Sequence, residues 1–218
     1  MCFSATASFA TAGLTGTIGI VCLMKVTAPR QLPLAAAPVL FGLQQCAEGL
    51  LWLNLPVAPD APGSANLTLL YLLFAQVFWP VYVPIAMLLV EPKQRRRRLM
   101  LGCLALGIGG GAWCLWSLLS HAHAAVILDG HVVYVTEPRH SIALALVYLA
   151  ATCLTPMLSS WRTVAALGAI VFVGCIVAYV LYWEAFASVW CFFAAAASAV
   201  ILGHFEQSRR RHLRTVRA

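Results

Sequence analysis

Seven long apolar runs set what this chain can fold into. They fall at roughly 8–26, 33–54, 66–90, 98–119, 141–160, 163–182 and 184–204. Each is about as long as the roughly 20 residues an α-helix needs to cross a bilayer. Together they take up most of the 218 residues, 62% of which are hydrophobic and only 10% charged. A soluble domain of this length carries far more charge on its surface. The expectation is therefore an all-α membrane protein: a seven-transmembrane-helix bundle over 1–204, followed by a basic tail at 205–218.

The net charge of +7 invites a nucleic-acid reading, but the placement of the charge argues for topology instead. Lys25 and Arg30 lie between the first two runs, Lys93 and Arg95 to Arg98 between the third and fourth, and Arg162 between the fifth and sixth. Arg209, Arg210, Arg211, Arg214 and Arg217 follow the seventh. Thirteen of the 14 basic residues then share one side of an alternating bundle, and only Arg139 lies opposite. Basic loops stay cytoplasmic, so the N-terminus is expected outside and the C-terminus inside. The expected partners are the lipid bilayer and, at the basic loops, anionic lipid head groups, with no nucleic acid. The first run lacks the basic n-region of a cleavable signal peptide and is expected to remain as a helix.

Between the fourth and fifth runs, Val126-Ile127-Leu128, Asp129-Gly130 and His131 to Val135 predict a short external β-hairpin with a tight type I′ turn. Gly13, Gly16 and Gly19 in the first run, and the "LGIGGGAWC" stretch in the fourth, predict close helix packing. Pro80 and Pro84 predict a kink in the third run, because proline removes a backbone donor.

The polar residues inside the apolar runs are the candidate site. An ionisable group in a bilayer costs of order 2.5–3.5 kcal/mol, so it faces the bundle interior or a wet cavity. In "QQCAEGLLW", Gln45, Glu48 and Trp52 fall on one helical face, with Gln44 on its flank. Glu184, Ser188 and Cys191 make a second stripe at i, i+4, i+7 spacing, beside Trp190. Gln76 reaches a comparable depth. The candidate ligand-binding set is therefore Gln44, Gln45, Glu48, Trp52, Gln76, Glu184, Ser188, Trp190 and Cys191. Carboxylates gathered at one depth describe a proton site, a cation site or a general base.

Carboxylate, thiolate and imidazole together can hold zinc or copper, and Cys2, Glu48, His140 and Cys191 are the candidate ligands. Haem is disfavoured, since only His204 lies clearly within a run. Three functions stay open. One is a binding protein for a small ligand or cation, as sensor or transporter. Another is a membrane-embedded enzyme, such as a metal-dependent hydrolase. The third is a structural component whose polar groups are interhelical glue. Transport is disfavoured because paired broken helices are its signature and only the third run looks broken.

"MCFSA" at 1–5, "RQLPLAAAPVLFGLQQCAEGLLWL" at 30–53, "WPVYVPIA" at 79–86 and "FASVWC" at 186–191, with His204, resemble an uncharacterised family of bacterial multi-pass membrane proteins beginning Met-Cys-Phe-Ser. The resemblance implies shared architecture and a place in the bacterial inner membrane. It supplies no activity. The layout also resembles that of alkaline-ceramidase-like membrane hydrolases. Their chemistry uses intramembrane histidines, a serine and an aspartate around zinc, whereas these runs hold no aspartate and only one clear histidine, His204.

Overall fold

The computed structural model describes residues 4–137, 142–181 and 197–210. Cys2, His140, Glu184, Ser188, Trp190 and Cys191, all candidates above, lie outside the described residues, as does Arg139.

The described chain is mostly helical. Helix α1 spans Ala5–Leu23 and α2 spans Leu32–Asn54, preceded by a tight turn at Pro29–Gln31. Helix α3 runs Pro62–Val90 and α4 runs Gln94–Ser120. Strands β1 (His123–Leu128) and β2 (His131–Thr136) follow. Then come α5 (Ile142–Met157), α6 (Arg162–Leu181) and α7 (197–210). Four of these, α1 to α4, are long and apolar enough to cross a membrane.

Helix α1 begins earlier than the apolar run because the Ser4 hydroxyl caps the Ala7 N–H at 3.2 Å. Its buried face carries Ser8, Thr11, Ala12, Thr15, Gly19 and Cys22. The threonine hydroxyls donate to carbonyls one turn back, Thr11 to Ala7 at 2.9 Å and Thr15 to Thr11 at 2.8 Å. A hydroxyl that donates to its own helix in this way can sit in an apolar interface. The face packs closely along α2. A Cβ on Gly42 would lie 3.0 Å from the Ala12 carbonyl oxygen, and one on Gly19 would lie 2.6 Å from the Val39 nitrogen. Gly19 therefore acts as expected, whereas Gly13 and Gly16 leave open space where a Cβ would sit.

Helix α3 breaks as expected near Pro80, and it does so through a π turn at Leu73–Phe78. The Trp79 N–H reaches back to the Phe74 carbonyl, five residues away. Pro80 offers no N–H and its ring crowds the carbonyl a turn earlier, so the helix widens there. The expectation that only this helix is broken is overturned. Helix α5 holds a second π turn at Ala150–Leu154, where the Thr155 N–H reaches the Ala150 carbonyl ahead of Pro156. A proline follows each widened turn by two residues, at Pro80 and Pro156, whereas Pro84, also expected to kink α3, sits inside regular helix. Gly107 of α4 lies between the two widened turns: a Cβ there would collide with the Pro80 carbonyl and lie 3.2 Å from Ala151 Cβ.

The hairpin forms as predicted. Its strands pair antiparallel from His123↔Thr136 to Leu128↔His131. Asp129 and Gly130 take positive φ of 48° and 75°, as a type I′ turn requires. Val132 and Ala125 bury against Leu51, Leu55 and Tyr71, and Tyr134 stacks on Tyr71 at 4.3 Å. The hairpin thus covers one end of the bundle. At the opposite end, Lys25 pairs with Glu206 at 2.6 Å and Arg96 reaches the Ser159 carbonyl at 2.6 Å. Helix α7 runs beyond 204, where its Glu206 accepts from both Lys25 and Arg210.

The close approach at Gly107 yields a test. Gly107→Ala should lower stability by about 1–3 kcal/mol, because the Pro80 backbone must shift. Gly109→Ala, with open space around it, should raise it by about 0.5–1 kcal/mol. Unfolding midpoints of the two variants in one detergent would check both signs.

Candidate functional site

The polar stretch of α2 is buried. Gln44 and Gln45 are 1% and 2% exposed, and Glu48 is fully covered. Pro38, Gly42, Gln45 and Gly49 follow one helical face, the one that packs on α1. Gln44 and Glu48, one turn apart, lie beside it and nearer α3. The expected single face is therefore split between two neighbours.

Trp79 is what binds α2 to α3. Its indole N–H donates to Gln44 Oε1 at 2.6 Å. Its ring stacks on Phe41, centroids 4.0 Å apart and planes at 17°. Below it, the Tyr82 hydroxyl donates to the Pro33 carbonyl at 2.6 Å. A buried hydrogen bond of this kind contributes about 0.5–1.5 kcal/mol net, and losing one partner costs more. Trp79 owes its place to the π turn before it, which also holds Gln76. Sequence spacing alone did not single out Trp79, although a tryptophan directly before a mid-helix proline was the available signal.

Several polar atoms around this layer stay buried with no hydrogen-bond partner among the described residues. They are Gln45 Nε2, Trp52 Nε1, Gln76 Oε1 and Ser8 Oγ. Buried donors and acceptors are almost always satisfied in folded proteins, so such a cluster asks for a missing partner. Gln45 and Trp52 thus bring two unpartnered donors on α2, and Gln76 one unpartnered acceptor on α3. Trp52 also packs against the cluster beneath the hairpin. Among the described residues no three His, Cys, Asp or Glu side chains gather as metal ligands. Of the proposed metal set only Glu48 is described.

A second polar cluster occupies the far end. Glu91, directly after α3, is 2% exposed. Its carboxylate accepts from the Lys93 N–H at 3.0 Å, the Ser160 N–H at 2.7 Å and the Ser159 hydroxyl at 3.2 Å, and from the Ser160 hydroxyl. Burial pushes its carboxyl up, and those hydrogen bonds, led by Ser160, outweigh it and hold the group below its ordinary value. Trp161 Nε1 donates to the Val90 carbonyl at 3.1 Å, and Thr163 Oγ1 shares a hydrogen bond with His204 Nδ1 at 2.8 Å. Sequence reasoning passed over Glu91, whose signal was a lone acid among the basic residues after the third run.

The fold and these buried clusters define a helical protein with four helices fit to cross a membrane, a hairpin cover and a polar layer between α2 and α3. The chain belongs to DUF6629, a family of unknown function whose model matches residues 1–217. No curated protein and no solved structure matches it.

Glu91 gives the pH-dependent prediction. Its carboxyl is held low in the folded state, so its stabilisation is present above the ordinary value of 4.5 and lost as pH falls through the folded value. Glu91→Gln should cost about 1.5–3 kcal/mol near neutral pH. The gap to wild type should narrow as the medium is acidified below 4.5. Unfolding curves of both proteins across that range would check it.

Proposed function

We propose that this chain is a seven-span protein of the bacterial inner membrane, with its N-terminus outside, that holds a small polar ligand or cation in the outer half of the bundle. The observation that carries the reading is the orphaned set around α2 and α3. Gln45 Nε2 and Trp52 Nε1 offer donors and Gln76 Oε1 an acceptor, all buried. Glu48 adds a carboxylate for a cationic group. Leaving each such atom unsatisfied costs about 1–3 kcal/mol, a cost that a bound polar molecule removes.

The gathering of basic residues at one end supports the topology. Lys25, Lys93 and Arg95 to Arg98, Arg162 and Arg210 all sit where the contacts between 91 and 160 and between 25 and 206 gather the helix ends. The hairpin then covers the outer mouth of the site.

Two helices are widened ahead of a proline, at Trp79-Pro80 and Thr155-Pro156, and such π turns are frequent at functional sites. Both helices run on through them, so the paired discontinuous helices that would put transport ahead of sensing are not seen among the described residues. The membrane-enzyme alternative would need a metal or a nucleophile at this layer.

Native mass spectrometry and elemental analysis of the purified protein test the reading, with wild type beside Glu48→Gln. Wild type should carry a small molecule or a monovalent cation, and the variant should hold it about tenfold or more weakly. One equivalent of zinc or copper, lost in the variant, would replace this reading with the enzyme. Two empty proteins of equal stability would leave the polar layer as packing and contradict the proposal.

A further inference from the structure

The polar cluster at the basic end borders an open-mouthed cavity of about 300 Å³, lined by Ser160, Trp161, Arg162, Thr163, His204, Gln207 and Ser208. That volume is at the lower end of the range for small-molecule sites. We propose that it is a seat for a phosphate group, carried either by an anionic phospholipid head or by free phosphate. The seat is separate from the α2–α3 layer and does not rest on the reading given to that layer.

The donor set fits this chemistry. Arg162 brings a planar guanidinium, the geometry best matched to phosphate oxygens. Thr163 and Ser208 bring hydroxyls and Gln207 an amide. His204 forms part of the wall, only 8% exposed, and is oriented by its hydrogen bond to Thr163 and by the edge of Trp161 at 5.7 Å. Arg162 also opens α6, whose first N–H groups have no acceptor within the helix and favour negative charge.

Among the described residues no acidic side chain lines the cavity. The two carboxylates nearby are already engaged. Glu91 is taken up by Ser159, Ser160 and the Lys93 N–H. Glu206 is taken up by Lys25 and Arg210, in that order of influence, which holds its carboxyl below the usual range. Among the described residues no carboxylate pairs with Arg162. The cavity therefore keeps a positive surplus at one defined place. The exposed arginines at 95, 97 and 98 offer only diffuse attraction.

The test uses the full chain. Retention of phosphatidylglycerol against phosphatidylcholine is read by native mass spectrometry, and the effect of inorganic phosphate is read as a shift in unfolding midpoint. Arg162→Gln and Gln207→Leu alter the cavity at exposed positions that folding tolerates, and Arg97→Gln is the basic-face control. With a lipid source, wild type retains phosphatidylglycerol about tenfold better, and both cavity variants lose the preference while Arg97→Gln keeps it. With free phosphate as the source, inorganic phosphate raises the midpoint of wild type and of Arg97→Gln but not of the cavity variants, and no lipid preference appears. The proposal is overturned if Arg97→Gln and Arg162→Gln weaken retention equally, or if wild type responds to neither probe.

Discussion

The rest of the structure depends on one constraint: a polar group inside an apolar bundle must find its partner within the bundle. Water is absent there, and an unpartnered group costs several kcal/mol in hydrocarbon. Helix α1 meets the constraint locally, since Thr11 and Thr15 return their protons to carbonyls of their own helix. Helix α2 meets it between helices, since Gln44 accepts from Trp79. The Gln44–Trp79 pair fixes the rotation of α3 against α2, and the stack of Phe41 on the same indole fixes their separation. The constraint goes unmet among the described residues at Gln45, Trp52 and Gln76, and the proposed ligand is what would meet it.

The two π turns belong to the same economy of backbone groups. Each lets the residue before a proline bond five residues back, while the proline itself donates nothing. The widened turn of α3 places Trp79 and Gln76 on the polar layer. The widened turn of α5 presents Ala151 and Cys153, both buried, to the interior. Gly107 lets α4 approach both at once, so a side chain there would push the two irregular segments apart. Widened turns of this kind are common where a helix serves a site.

Much of the architecture was legible because it follows from short-range rules. Run length gave α1 to α6 to within about four residues, while most of the seventh run lies outside the described residues, and Asp129-Gly130 gave the hairpin and its turn. The basic residues marked one end, and the contacts among Lys25, Glu206, Arg96 and Ser159 gather there. Periodicity also placed Gln44, Gln45 and Glu48 inside. It could not say which neighbour each would meet, because a helical face fixes direction and not partner. Hence Trp79 went unnoticed, and so did the division of the polar face between α1 and α3. The break at Thr155-Pro156 lies close to the end of its run, where a proline reads as a terminus. Glu91 looked like a loop acid because its partners, Ser159 and Ser160, are distant in sequence.

The central claim is that the orphaned polar groups of α2 serve a ligand and do not serve as glue. Gln45→Leu tests it most directly, through the stability of the ligand-free protein. An amide whose Nε2 has no partner is a burden to the fold, so an apolar side chain of similar size should leave stability unchanged or raise it by up to about 1–3 kcal/mol. The same variant should lose the bound molecule. A loss of stability on that scale in the ligand-free protein would show that Gln45 holds helices together, and would contradict the account.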